Sequence, residues 1–331
     1  NMIISKKNLN ESEMLDVMNS IMTGQTTDAQ IGAFLIGLSM KGETIEEITA
    51  SAKVMRSLAT SVELSSAEYL VDTCGTGGDG LGLFNISTAS AFVVAAAGGK
   101  VAKHGNRSIS SKSGSADVLE AAGINLNLSP EVISECIEKI GVGFMFAPAH
   151  HSAMKHAIGP RKELAVRTIF NVLGPLTNPA KAPNQVIGVY DRNLVEPIAN
   201  VLKSLKSRHV MVVHSADGLD EFSIADKTFV AELYNDEVST YSVHPDDFGL
   251  KLGNLDDIKA ENADESLSLI YEAFSGHNGT AKNIIALNAG AAIYVSGLEE
   301  TLNSGIEKAF KILSDGSAKE KLEEYIFASN N

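Results

Sequence analysis

The chain has 331 residues, of which 44% are hydrophobic and 21% charged, so it is long enough for roughly two globular domains whose cores need no disulfide or structural metal. Its 27 basic and 41 acidic side chains give a net charge of −14, which argues against a nucleic acid or an anionic membrane as partner. The two cysteines, Cys74 and Cys136, lack zinc-site spacing and are typical of a cytoplasmic protein, and no apolar run is long enough to span a membrane.

The first part of the chain is predicted to be helical, because three stretches there begin near a Ser, Thr or Asn cap and carry apolar residues at helical spacing. They are residues 10–23, 27–40 and 44–58. From Tyr69 onward short apolar runs alternate with helical stretches, a pattern typical of a parallel sheet with crossover helices. The predicted strands are residues 69–72, 101–103, 143–146, 186–190, 210–214, 229–233 and 239–243, and the predicted helices between them are residues 89–97, 117–122, 130–140 and 195–205.

These elements predict an α/β fold in two parts. A small helical N-terminal domain covers residues 1–66 and is completed by a later helical crossover near residues 160–182. A larger α/β domain, residues 67–331, carries a mostly parallel central sheet with surrounding helices.

The charge is distributed unevenly along the chain. Residues 1–216 hold 19 basic and 19 acidic side chains, whereas residues 217–331 hold 8 basic and 22 acidic ones. Between Asp79 and Asp117 there is no carboxylate at all, although four cations occur there. A locally positive, Gly- and Ser-rich segment in an acidic protein indicates a bound anion. The four cations are Lys100, Lys103, Arg107 and Lys112.

The segment from Asp72 to Gly80 matches the GxGxxG fingerprint of dinucleotide-binding proteins after a predicted strand. The context disfavours that function, because the helix begins only near Ser87 and the acidic residue expected about 20 positions later is missing. A tight glycine turn without a ligand is the alternative. Glycines followed by Asn85-Ile86-Ser87-Thr88 at a helix start favour a phosphate or pyrophosphate cradle.

A second candidate anion-binding loop runs from Lys103 to Ser115. It offers three cations, one asparagine and five serines in 13 residues. By itself such a stretch is typical of a flexible loop, but its place after a predicted strand and inside the acid-free window favours anion binding. Two such loops suit a substrate with phosphates at two ends.

Asp220-Glu221 is one of several adjacent acidic pairs in the last third of the chain, most of which belong to solvated surfaces. This pair directly follows an apolar strand and a turn, residues 209–219. Ligands of open α/β sheets bind at such strand ends, and magnesium prefers hard carboxylate oxygens. The pair is therefore a candidate metal site, with a solvated surface as the alternative.

Three histidines, His150, His151 and His156, lack the spacing of a helical zinc pair. A polar helix face is favoured over zinc for them, and the entrance for an aromatic acceptor is a compatible third role.

Four motifs together resemble the anthranilate phosphoribosyltransferase family, in order and over essentially the whole chain. They are residues 75–79, residues 85–88, residues 103–107 with the serines that follow, and residues 167–179. The resemblance implies transfer of the phosphoribosyl group from phosphoribosyl pyrophosphate (PRPP) to the amine of anthranilate in tryptophan biosynthesis. It also implies a homodimer and two magnesium ions per site.

The resemblance also implies roles for individual residues. The PRPP-binding set is Gly75, Gly78, Asp79, Asn85, Ser87, Thr88, Lys103, Asn106, Arg107, Ser108, Ser111 and Ser115. The anthranilate-binding set is Gly75, Asn106 and Arg161, and the acceptor's approach is lined by His104, His151 and Pro175. The metal ligands are Ser87, Asp220 and Glu221. Lys103 acts electrostatically, and no residue is assigned as general acid or base.

The chain departs from the family pattern at Leu83, where relatives often have Thr or Ser, so one hydroxyl contact to the donor is not expected. Two other functions are compatible with the fold. A pyrimidine-nucleoside phosphorylase is disfavoured by Arg161 and by residues 167–179, and a non-enzymatic nucleic-acid-binding relative is disfavoured by the net charge of −14.

Overall fold

Three helices form the N-terminal part of the computed structural model, which describes residues 2–108 and 112–331. They are α1 (Glu11–Met22), α2 (Asp28–Lys41) and α3 (Ile45–Leu58). Each begins with a capping box, in which the cap side chain accepts the N–H of the third helical residue and that residue's side chain accepts the cap N–H. The caps are Asn10, Thr27 and Thr44.

The remainder of the chain is built on one seven-stranded sheet. Its strands are β1 (Leu70–Gly75), β2 (Lys100–Gly105), β3 (Val142–Phe146), β4 (Asn184–Gly188), β5 (His209–Ser215), β6 (Thr228–Tyr234) and β7 (Glu237–Val243). The order across the sheet is β3-β2-β1-β4-β5-β6-β7. The first five strands pair in parallel, and β6 and β7 add an antiparallel edge. The predicted fold class, a helical N-terminal part with a mostly parallel α/β part, is confirmed.

Helices pack on both faces of this sheet. The helices after β1 are α4 (Ile86–Ala96), α5 (Ser115–Ala121), α6 (Pro130–Lys139), α7 (Ala147–His150), α8 (Lys155–Leu164), α9 (Ile169–Leu173), α10 (Val195–Ser204), α11 (Ala263–Phe274), α12 (Thr280–Ser296), α13 (Leu302–Asp315) and α14 (Ser317–Ser329). Two of them, α8 and α9, pack on the N-terminal helices. Short 3-10 turns occur at Ile3–Ser5, Ser152–Met154, Pro175–Thr177, Arg192–Leu194, Pro245–Phe248 and Leu255–Ile258. In the residues that the structure describes, no helix has the length and apolar character needed to cross a membrane.

The hydrophobic core is divided by the sheet, because neighbouring strand residues point to opposite faces. In β5, Met211 and Val213 pack with α4 and α11 to α14, whereas Val210 and Val212 pack with α1 to α3 and α8 to α10. The N-terminal helices thus share a core with one face of the sheet. Helix α8 packs on α2, and α9 packs on α3.

A buried ion pair links the start of α3 to the end of α2. The Glu47 side chain is completely buried and lies 2.8 Å from Lys41 Nζ, which is itself 3% exposed. Glu47 also accepts the backbone N–H groups of Leu9 and Thr44. Burial alone would raise the pKa of Glu47, but these hydrogen bonds outweigh it and hold the pKa below its ordinary value.

Replacing Glu47→Ala should lower the free energy of unfolding by about 3 to 5 kcal/mol, because Lys41 would be left buried without its partner. Urea unfolding followed by circular dichroism measures this change. The matched control is Glu46→Ala, at the exposed neighbouring position, which should shift stability by no more than about 0.5 kcal/mol. Equal effects of the two substitutions would contradict this role of Glu47.

Candidate functional site

The candidate site lies at the carboxyl ends of β1, β2, β4 and β5. Gly75 ends β1 and pairs in register with Gly188, which ends β4. A Cβ on Gly75 would lie 2.6 Å from Asp220 Oδ2, and a Cβ on Gly188 would overlap the carbonyl oxygen of Asp220. Two strands that end in glycine therefore leave the space that Asp220 occupies.

The acidic pair connects two predicted anion-binding elements. Asp220 Oδ2 accepts the N–H of Gly77 at 2.9 Å, in the glycine loop, and Glu221 Oε1 accepts the N–H of Ser87 at 3.2 Å, at the start of α4. Burial, followed by repulsion from Asp79, raises the pKa of Asp220 to about 7. Burial, followed by repulsion from Asp220, raises the pKa of Glu221 to about 8. The pair is thus a site where a cation would relieve electrostatic repulsion.

Glycines shape the loop after β1, where Gly77, Gly78, Gly80 and Gly82 all have positive φ angles. Asp79 folds back on this loop and accepts the N–H of Leu81 at 3.2 Å. Burial raises the pKa of Asp79 above its ordinary value.

Arg167 also holds the glycine loop, a role that no local sequence pattern indicates. Its guanidinium donates to the carbonyl of Gly78 and lies 4.0 Å from the centre of the Tyr190 ring. A Cβ on Gly78 would come within 3.1 Å of Arg167 Nη2. This contact gives Gly78 a second reason to be glycine, besides its positive φ.

The predicted donor residues of α4 lie at its first turn. Asn85 is the cap residue, but its side chain makes no capping hydrogen bond to the helix. Ser87 is half-buried, and Thr88 is buried with an Oγ1 that has no hydrogen-bond partner in the part of the chain that the structure describes. Because the Asn85 side chain does not cap the helix, this helix start is suited to an anion, although the Glu221 carboxylate already holds the N–H of Ser87.

Lys103 lies beneath this turn and is only 3% exposed. Its ammonium donates to the carbonyl of Thr73 and to Ser87 Oγ, at 3.3 Å. Burial lowers the pKa of Lys103, and the carboxylate of Asp72 opposes that shift.

Asp72 is a buried residue that the sequence analysis missed. Its carboxylate accepts the N–H of His104 at 3.1 Å and Nδ2 of Asn178 at 2.7 Å. A carboxylate inside the apolar run of β1 is the signal that identifies it, since an acidic residue is rarely buried without partners.

The second predicted loop connects β2 to α5. Asn106 and Arg107 are exposed, and Arg107 forms ion pairs with Asp117 at 3.1 Å and Glu120 at 2.7 Å. The N–H of Ser108 donates to Asp117 at 3.0 Å. Ser115, the first residue of α5, donates to the Asn106 carbonyl at 3.3 Å. Ser111, also predicted to bind PRPP, lies outside the described residues.

Arg161 lies on α8 as a partly buried cation 5.2 Å from the centre of the Phe170 ring. Among the described residues it forms no ion pair with a carboxylate, and burial lowers its pKa. A desolvated guanidinium without a counter-ion is suited to a ligand carboxylate.

The predicted acceptor approach is lined by neutral imidazole rings and a proline. The rings of His104 and His151 are 5.0 Å apart and Pro175 is buried. Burial lowers the pKa of His104 to about 3 and that of His151 to about 4. The polar helix face predicted for His150 and His151 is wrong, because both side chains are buried.

Leu83, where the chain departs from the family pattern, pairs its backbone with Lys259 and packs its half-buried side chain against the core. It thus contributes structure rather than a hydroxyl group.

Magnesium fits the oxygen donors of this site. Asp220 and Glu221 offer hard carboxylate oxygens, whose mutual repulsion a divalent ion would neutralise. Within residues 2–108 and 112–331, no three acidic, histidine or cysteine side chains form a complete metal site. The remaining ligands would therefore come from substrate phosphates and water, as magnesium commonly requires.

Comparison with known families agrees with this two-part architecture. A model of the helical bundle domain of a glycosyl transferase family matches residues 1–59, and a model of its a/b domain matches residues 67–319.

Comparison with individual relatives identifies the enzyme family more narrowly. The chain is 68% identical to the anthranilate phosphoribosyltransferase of Ruthia magnifica subsp. Calyptogena magnifica over 99% of this chain and 97% of the relative. It is 64% identical to that of Vesicomyosocius okutanii subsp. Calyptogena okutanii, over 98% and 96% of the two chains. With this identity over nearly its whole length, the chain belongs to the anthranilate phosphoribosyltransferase family.

Solved structures give the same result. The chain superimposes on anthranilate phosphoribosyltransferase from Thermus thermophilus with a TM-score of 0.94, at 39% identity and covering 100% and 98% of the two chains. It also matches the Saccharomyces cerevisiae enzyme in complex with PRPP and Mg, with a TM-score of 0.88, at 27% identity and covering 97% and 94%. The nucleoside phosphorylase and nucleic-acid-binding alternatives are not favoured.

The raised pKa values of the acidic pair predict how stability changes with pH. Because the folded-state pKa values of Asp220 and Glu221, about 7 and about 8, exceed the ordinary values, protonation stabilises the fold. This contribution is lost as the pH rises through those two values. In EDTA, the wild-type melting temperature should fall from about pH 4, where the unfolded carboxylates ionise, to about pH 8, and Asp220→Asn with Glu221→Gln should reduce that fall.

Differential scanning fluorimetry across this pH range measures the effect. The matched control replaces the exposed pair, Asp246→Asn with Asp247→Asn, and should keep the wild-type pH dependence. A variant of the buried pair with an unchanged pH dependence would show that the pKa values of these carboxylates are not raised in the folded protein.

Proposed function

We propose that the chain transfers the phosphoribosyl group of PRPP to the amine of anthranilate, releasing pyrophosphate, as a step of tryptophan biosynthesis. The observation that carries the proposal is the acidic pair. Asp220 holds the glycine loop through Gly77, and Glu221 holds the start of α4 through Ser87. Candidate magnesium ligands and candidate pyrophosphate donors thus share one strand-end site, as a magnesium-dependent phosphoribosyl transfer requires.

The proposed donor site uses both loops. Gly75, Gly78 and Asp79 would meet the pyrophosphate side, and Asn85, Ser87 and Thr88 would continue that contact at the start of α4. The phosphate and ribose contacts would come from Lys103 and the second loop, namely Asn106, Arg107, Ser108, Ser111 and Ser115. Arg107 would share its guanidinium between Glu120, Asp117 and the phosphate, since these carboxylates already hold it.

The proposed acceptor site is formed by Arg161, Asn106 and the Gly75 backbone. The lack of a carboxylate partner for Arg161 among the described residues supports its pairing with the anthranilate carboxylate. The neighbouring imidazoles of His104 and His151 have pKa values of about 3 and about 4, so they would be neutral near pH 7 and would not compete with Arg161 for the carboxylate.

The chemistry we propose is mainly positioning and electrostatic stabilisation. Negative charge grows on the departing pyrophosphate while the ribose becomes oxocarbenium-like. Lys103 and the backbone N–H groups of the glycine loop stabilise that negative charge. Magnesium, when bound, supplies further charge neutralisation at the same oxygens. The neutral amine of anthranilate forms the new C–N bond as the C–O bond to pyrophosphate breaks, and the proton that the amine then loses passes to the released pyrophosphate or to water, so no general base is assigned.

We further propose two magnesium ions per site, with Ser87, Asp220 and Glu221 as protein ligands. A homodimer through the N-terminal helices is supported by apolar side chains on that part of the surface, where Met40 is 76% and Ile45 39% exposed. A cytoplasmic location is supported by the free thiols of Cys74 and Cys136.

The direct test is the loss of anthranilate fluorescence when the protein is mixed with magnesium and PRPP. We expect the fluorescence to fall as anthranilate is consumed. One pyrophosphate should appear for each anthranilate lost. Omitting magnesium should abolish the change. Phosphorolysis of a pyrimidine nucleoside without any loss of anthranilate would instead favour the phosphorylase alternative.

Arg161→Ala should raise the KM for anthranilate about tenfold to a hundredfold, since a charge-assisted hydrogen bond contributes about 1.5 to 3 kcal/mol. The KM for PRPP should change little. Steady-state kinetics with each substrate varied in turn measures both constants. Lys162→Ala, at the exposed neighbouring position, is the matched control, and an unchanged anthranilate KM in Arg161→Ala would remove Arg161 from the acceptor site.

A further inference from the structure

Asn85 makes an unusual set of hydrogen bonds at the start of α4. An asparagine at a helix cap ordinarily accepts the N–H of the second or third helical residue. Here Asn85 Oδ1 instead accepts hydrogen bonds from Ser266 Oγ and Ser113 Oγ, each at 2.9 Å. Both lone pairs of this oxygen are thereby used, which explains why the side chain does not cap its own helix.

The same serine also holds the backbone of Asn85. Ser266 Oγ accepts the N–H of Asn85 at 2.9 Å while donating to Asn85 Oδ1. A single hydroxyl group therefore forms hydrogen bonds with both the main chain and the side chain of Asn85. Because Ser266 is completely buried, water does not compete for these two bonds.

Ser266 is itself fixed from several directions. It lies in the first turn of α11, where its N–H donates to the backbone carbonyl of Asn262. Asn262 also caps the helix, because its side-chain Oδ1 accepts the N–H of Glu265 at 2.9 Å. The segment just before α11 runs beside the end of the glycine loop. There the N–H of Ala260 donates to the Gly82 carbonyl at 3.0 Å, and the N–H of Phe84 donates to the Ile258 carbonyl at 3.1 Å.

One consequence concerns the amide of Asn85. With Oδ1 saturated by two hydroxyl donors, the orientation of the side chain is fixed and Nδ2 is the group left for a ligand. Nδ2 has no hydrogen-bond partner in the part of the chain that the structure describes, and Asn85 is partly exposed. The amide thus presents two N–H donors, and no acceptor, to an approaching anion.

We propose that Ser266 is a positioning residue for pyrophosphate binding, which acts by holding Asn85 so that its amide N–H groups face the donor instead of its oxygen capping α4. The inference rests on the proposed function, because Asn85 is placed in the PRPP site there. It adds to the site a residue from the acidic last third of the chain, 181 positions away in sequence.

Ser266→Ala tests the proposal by removing both hydrogen bonds to Asn85 with the loss of one oxygen atom. The KM for PRPP and the dissociation constant for pyrophosphate with magnesium should rise about fivefold to tenfold. The KM for anthranilate should stay within about twofold, since Asn85 does not belong to the acceptor site. A purely structural role would lower the melting temperature without separating the two KM values.

The matched control is Ser268→Ala on the same helix. Ser268 is exposed, and its hydroxyl donates only to the carbonyl of Asp264, one turn back. This variant should keep both KM values and the pyrophosphate affinity of the wild type.

Asn85→Asp provides a second test that does not weaken the serine contacts. The aspartate keeps an oxygen for Ser266 and Ser113, so the melting temperature should be preserved within about 2 °C. It places a second oxygen where Nδ2 was, so pyrophosphate affinity should fall at least about tenfold through repulsion. Wild-type pyrophosphate affinity in folded Ser266→Ala, or in folded Asn85→Asp, would overturn the proposal.

The pyrophosphate titration, by isothermal calorimetry, separates this inference from the proposed function because it needs no acceptor. A wild-type protein that binds pyrophosphate but consumes no anthranilate would contradict the proposed function. A change of pyrophosphate affinity in Ser266→Ala would still support the positioning role.

Discussion

The burial of two adjacent carboxylates at the end of the parallel sheet is the constraint on which the site depends. Burial raises the pKa of both Asp220 and Glu221, and repulsion adds to it, from Asp79 on Asp220 and from Asp220 on Glu221. Such an arrangement survives in a folded protein only where the surroundings hold it in place. Here the backbone N–H groups of Gly77 and Ser87 do so, and the same two bonds fix the loop and the helix that are proposed to bind pyrophosphate.

Beneath the acidic pair, charges of opposite sign alternate toward the interior. Burial raises the pKa of both Asp72 and Glu221, and the positive charge of Lys103 opposes that shift in each. Asp72 is held in turn by Asn178 and by the N–H of His104. The Thr73 carbonyl and Ser87 Oγ accept hydrogen bonds from the ammonium group, so this buried lysine is held beneath the candidate site. The ammonium group of Lys103 is thus already in place before the reaction. The free energy that would be needed to order a mobile side chain is therefore not spent during the reaction.

The sequence predicted those parts of the molecule that depend on local pattern. The capped helices, the order of strands and helices and the glycine loop could be inferred, because caps, apolar spacing and glycine runs are short-range signals. Contacts over long sequence separations were not found, since Arg167 meets Gly78 from 89 positions away and Asn178 meets Asp72 from 106. These contacts exist only after the crossover returns to the sheet, so neither residue carries a local pattern that reveals its partner. The prediction for His151 was also wrong, because its polar side chain was expected on a helix surface but is buried.

The neutral and the acidic parts of the chain supply different groups to the candidate site. The neutral first two-thirds supplies the glycine loop, the α4 turn and Lys103, whereas the acidic last third supplies Asp220, Glu221 and the serine that holds Asn85. The two candidate carboxylate ligands of the metal and the candidate anion donors of the glycine loop therefore come from different parts of the chain. The site therefore forms only when α11 and the β5 turn have docked on the sheet, so binding of magnesium and PRPP should stabilise the docked arrangement of the whole domain rather than a single loop.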